Sequence, residues 1–137
     1  MKPMRTSITA ILSAFVLVVP VANAVVPKKK VVTKKVTGPS AQADQWGYVE
    51  VVLTIKKTTI TIGTHKKVTR RITGISIPIY PSHTDRSVYI SHQALPYLMQ
   101  ETLKAQSANI QMVSGATISS NAYIESLQAA ILLERKV

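Results

Sequence analysis

Val49, Val51, Leu53 and Ile55 alternate with Tyr48, Glu50, Val52 and Thr54. A period of two, rich in β-branched side chains, marks a strand with one face buried. Thr58 to Ile62 continues the extended character, and Gly63-Thr64-His65-Lys66-Lys67 supplies a polar turn. Val68 to Ile79 reads as a second long strand, so the centre of the fold is an antiparallel pair. Strict alternation along it places Ile72, Gly74, Ser76 and Pro78 on one face and Thr73, Ile75, Ile77 and Ile79 on the other. Pro78 has no N–H to give a ladder, so the strand ends there or lies at an edge.

The remainder is helical in pattern. Tyr80 to Ser91, rich in Pro, Ser, His, Thr and Asp, reads as a loop, and a helix follows it with Pro96 tolerable only in the first turn. Leu95, Leu98, Met99, Thr102, Leu103 and Gln106 recur at spacings of three and four, a buried stripe on a polar helix. Asn109 to Val113 has the composition of a short strand. A last helix is expected to begin at Ser119 or Ser120, both good N-caps, with Tyr123, Leu127, Ala130, Ile131 and Glu134 at helical spacing. The predicted class is α+β: a long antiparallel strand pair in a small twisted sheet, with two helices packed on one side.

Ahead of this domain the chain reads differently. Lys2 and Arg5, the apolar run Ile8 to Val19 and the small-x-small triplet Ala22-Asn23-Ala24 have the form of a secretory signal peptide over 1–24, cleaved after Ala24. An uncleaved N-terminal anchor is the alternative. Residues 25–43 mix Lys, Thr, Val, Pro and Gly without helical period, and read as a flexible Lys-rich tether. The domain proper is 44–137. Export would put nucleic acid and soluble cytosolic partners out of reach. With no cysteine in the chain, disulfides, thiolate metal sites and cysteine nucleophiles are excluded.

The chain carries a formal charge of +11. Lys28, Lys29, Lys30, Lys34 and Lys35 sit in one tract, whereas from Ser40 onward ten cations face six anions. The basic character therefore belongs more to the tract than to the domain. A solvated linker is one reading of it, and salt-sensitive adsorption to an anionic membrane or wall polymer is the other.

Chemistry is concentrated in Ser114-Gly115-Ala116-Thr117-Ile118-Ser119-Ser120, small and hydroxylic residues just before a helix. A helix start offers unpaired N–H groups and partial positive charge, Gly115 and Ala116 admit close approach, and Ser114, Thr117, Ser119 and Ser120 add hydroxyls. A phosphate suits that position, and so does an ordinary capped helix. His83, Asp85 and His92 have no recognisable metal-site spacing, and no catalytic triad or carboxylate pair is signalled. An independent enzyme is not expected.

The segment resembles the flavinylation motif of the FMN-binding domain family, which includes the C subunit of the sodium-pumping NADH:quinone reductase and the G subunit of the Rnf complex. The resemblance extends through Tyr80-Pro81, Asp85-Arg86-Ser87, Ala94-Leu95-Pro96-Tyr97-Leu98, Ala105-Gln106-Ser107-Ala108 and Tyr123-Ile124-Glu125-Ser126-Leu127-Gln128, in the family's order. It implies an FMN cofactor joined through its phosphate to the hydroxyl of Thr117 by a flavin transferase, and a role as an extracytoplasmic electron-transfer module between a membrane or extracytoplasmic donor and acceptor. Ser114, Gly115, Ala116, Ser119 and Ser120 would hold the phosphate; Arg86 would neutralise flavin or phosphate charge or else pair with Asp85 or another carboxylate, and Tyr80, Tyr89 or Tyr97 would wall the ring or else serve as ordinary core or rim residues. Members usually carry an acidic residue three positions before the serine, where this chain has Gln111. A non-covalent FMN-binding or sensing module is the alternative that follows from it, and a flavin-free wall or membrane adhesion module is a second. The hairpin at Thr58 to Lys67 is longer than in compact members.

Overall fold

The computed structural model of the protein describes residues 26–136, and the leader read at 1–24 lies outside them. Its elements are β1 (Lys28–Thr37), β2 (Ala41–Gln42), one 3-10 turn (Asp44–Trp46), β3 (Tyr48–Ile62), β4 (His65–Ile79), α1 (Asp85–Ala105) and α2 (Thr117–Arg135). β3 is the shared strand of an antiparallel sheet, pairing with β1, β2 and β4. The architecture is the expected α+β.

β3 owes its central place to the alternation of its first half. Val49, Val51, Leu53 and Ile55 are buried beneath Leu95 and Leu98 of α1 and Tyr123, Leu127 and Ala130 of α2. Both helices therefore cover the same face of the sheet. The approach of α2 is close. A Cβ on Gly38 would run into the carbonyl and hydroxyl of Ser126, and the Ser126 hydroxyl accepts from the Val51 N–H at 3.0 Å. A second buried pair joins the helices, with the hydroxyls of Thr102 and Tyr123 2.8 Å apart and Thr102 Oγ1 donating to the Leu98 carbonyl. Burial pushes the Tyr123 phenol up to about 12, partly offset by its hydrogen bond to Thr102.

Several expectations are corrected. The segment read as a flexible tether contains β1, whose ladder runs from Lys28 opposite Thr61 to Thr37 opposite Val52. Nearly all of β1 is exposed, so it has no apolar period to betray it, and its backbone pairing alone makes it a strand. Strict alternation also fails in β4. Ile72 faces Ile55, Ile75 faces Leu53, and Gly74 faces Thr54, which leaves Thr73 as an extra residue in a bulge. The bulge turns Ile72 to the same face as Ile75 and Ile77, and all three pack on the core. Pro78 falls in a second irregularity, where Ile77 and Pro78 together oppose Val51, on a strand that among the described residues pairs with β3 alone.

α1 starts at Asp85, inside the stretch expected to be a loop. Thr84 caps it through a reciprocal box in which its hydroxyl accepts from Ser87 N–H while the Ser87 hydroxyl accepts from Thr84 N–H. Pro96 consequently lies well inside the helix, and its exposure leaves the orphaned carbonyl one turn back on the solvent side. Residues 109–113 form no strand. Their backbone is satisfied locally and by α2, since Ile110 N–H donates to Ala108 and Val113 N–H to the Ser120 hydroxyl. α2 starts at Thr117, two residues before the expected caps, because Ser119 and Ser120 are buried in its first turn.

Candidate functional site

Two helix starts meet at one cleft of about 450 Å³. Arg86 and Ser87 reach it from the first turn of α1, and Thr117, Ile118 and Ser119 from the first turn of α2. Trp46 closes one side from the 3-10 turn that precedes β3. The local sequence builds this mouth in a simple way. Gly115 takes φ +83°, with open space where a Cβ would stand, and turns the chain sharply into α2. Ala116, at the N-cap, has no side chain able to accept a hydrogen bond. The first helical bond is Ser120 N–H to Ala116 carbonyl, so the N–H groups of Thr117, Ile118 and Ser119 have no acceptor within the helix.

The electrostatics favour an anion. Both helices direct the positive end of their dipole here, each worth about 0.3–1 kcal/mol for a charge at the first turn. Arg86 adds a full cation that makes no ion pair among the described residues. Pro81, Ile90 and Trp46 give the same cleft an apolar wall. The size, the wall and the anion-attracting floor fit a phosphorylated aromatic molecule. The side chain of Thr117, on the first residue of α2, is exposed at this mouth.

The residues expected to form the site divide into groups. Arg86, Gly115, Ala116, Thr117 and Ser119 line the cleft. Ser114 lies in an adjoining recess, with Tyr89, Tyr97 and Met112. The two recesses share Ile90, Gly115 and Ala116, and Thr117 lines only the first. Ser120 is fully buried, its hydroxyl accepting from Val113 N–H, and so it pins the incoming loop from beneath. Tyr80 lines neither recess and packs edge-on against His92 with ring centroids 6.0 Å apart. Trp46 was not foreseen. The one sequence signal was that Trp46 is the chain's single tryptophan and stands just before the alternating run; that it is half-buried at the cleft is seen only in the fold.

Fold and cleft together define a small α+β domain with an open mouth between two helix starts. The sequence pattern of the FMN-binding domain family matches residues 44–132, and the chain belongs to that family. Its cofactor is FMN. β1 and β2 precede the matched residues. Comparison with curated proteins gives no match.

Proposed function

We propose that the protein is an extracytoplasmic electron-transfer module that carries FMN as a phosphoester on Thr117. The observation that carries this reading is the exposed Thr117 hydroxyl on the first residue of α2, beside free N–H groups and Arg86. In the proposed complex, the N–H groups of Thr117 to Ser119 donate to the phosphate and Arg86 balances its charge. Trp46, Pro81 and Ile90 offer the ring an apolar seat on the side that Thr117 lines. FMN supplies one- and two-electron transfer when bound. A covalent link keeps the cofactor where a dissociated flavin could not be replaced, and a flavin transferase is the partner that would install it. The Thr117 Oγ–P bond forms as the P–O bond to the leaving group of an activated flavin-phosphate donor breaks. The leaving group departs and the hydroxyl proton is lost, so the protein gains the mass of FMN less one water.

Coexpression with a flavin transferase followed by intact mass measurement tests the link. The expected result is that mass increment and yellow colour retained after denaturation, both absent from Thr117→Ala. A Thr117→Ala protein that held its flavin through denaturation would refute the anchor. Gln111, in place of the usual acidic residue, favours a second reading in which FMN is held without a bond. That reading expects full flavin release on denaturation of the wild type, with or without the transferase.

A further inference from the structure

The register of the sheet gathers the basic residues of three separate stretches into one place. Beyond Ile55 and Ile72 the helices end, and β1, β3 and β4 continue as a three-stranded ribbon. Eleven Lys and Arg lie in 28–37 and 55–72, with no Asp or Glu among them. Only Arg70 has an ion-pair partner among the described residues, Glu134 near the end of α2 at 3.0 Å.

Residues directly opposite in an antiparallel ladder share a face. Leu53 and Ile55 face the helices, so Thr54, Lys56, Thr58, Ile60 and Ile62 face away from them. Lys29, Ile60 and Lys67 form one cross-strand row on that open face, and Thr33, Lys56 and Arg71 form another. Val31, opposite Thr58, lies between these rows. Ile62 projects beside the turn at the tip. Val31 and Ile62 are 44% and 48% exposed, so this face interleaves accessible β-branched side chains with its cations.

We propose that this open ribbon face docks on an anionic phospholipid surface, its lysines and arginine on the headgroups and Val31, Ile60 and Ile62 at the acyl boundary. Charge alone would suit any polyanion. The interleaved apolar residues select a lipid interface over a soluble polymer, which offers them nothing to enter. The inference does not depend on the flavin, and it assigns a role to the long hairpin and to β1.

The test uses the protein as its host processes it, its N-terminus read by intact mass, with and without flavin. Binding is measured to phosphatidylcholine vesicles with and without about one-third phosphatidylglycerol, at about 0.05 M and about 0.5 M salt. Long-chain polyphosphate serves as the soluble polyanion. Binding is expected only to the anionic vesicles, weakened by salt, and reduced about fivefold for each charge removed in K29Q/K56Q/K67Q/R71Q. The I60S/I62S variant should lose vesicle binding and keep any polyphosphate binding. Equal binding to neutral vesicles, or full binding by the charge variant, would overturn the proposal. So would polyphosphate binding without vesicle binding, which would make the partner a polymer. Unchanged vesicle binding by an aggregating charge variant would instead assign the lysines to keeping the edge strands apart.

Discussion

The two halves of β3 share one backbone ladder and differ in what lies over them. From Tyr48 to Ile55 every second side chain is sealed under α1 and α2, and from Lys56 to Ile62 none is fully buried. The covered half has a sequence dictated by packing, whereas the uncovered half tolerates charge and is shaped by what it meets. Core packing is therefore confined to one half of a single strand, and substitutions in the two halves should have different consequences.

The sharpest separation is expected from Leu53→Ala against the four-charge ribbon variant. Loss of the fully buried Leu53 side chain should cost about 2–5 kcal/mol in urea unfolding, while the ribbon variant should stay within about 0.5 kcal/mol of wild type. Similar losses in both would remove the distinction. A comparable effect is expected from pH through Tyr123. Its phenol ionises near 10 when unfolded and near 12 when folded, so the fold keeps the proton longer. This contribution is complete below pH 10 and is lost as pH rises through 12, by roughly 2–3 kcal/mol in total. Tyr123→Phe should flatten that part of the decline relative to wild type.

Gly38→Ala should cost about 1–3 kcal/mol by forcing α2 away from the link between β1 and β2. If it proves neutral, the close approach of α2 is not a constraint. At the mouth, Arg86→Gln in a Thr117→Val background should weaken reversible FMN binding about tenfold by titration, with melting temperature unchanged. The smallest effect is expected at the seam between the halves. Glu134→Gln should cost less than about 1 kcal/mol, because its partner Arg70 is partly exposed to solvent.

Where packing wrote the sequence, the fold was legible. The alternation of β3 and the stripe of α1 through Leu95, Leu98 and Thr102 reflect one-sided cover, and the small hydroxylic turn marks the start of α2. β1 was illegible because only Val36, near its end, packs against the core. The bulge at Thr73 has no residue type that announces it, and it moved Ile72 to the other face. The start of α1 was hidden because Ser87 replaces the usual Glu or Gln of a capping box and Pro96 offered a more obvious beginning. The motif picked out Arg86 and Thr117, which both line the cleft, whereas the meeting of two helix starts around Trp46 is a tertiary fact.

α2 carries Thr117, at the cleft, at one end and Glu134 near the other, in 19 unbroken helical residues. At a rise of about 1.5 Å each, such a rod measures roughly 28 Å. The helix is thus a strut of fixed length, and the ribbon extends beyond its far end. With the open ribbon face resting on lipid as proposed, that strut would set how far along the sheet from the docked ribbon the flavin cleft sits.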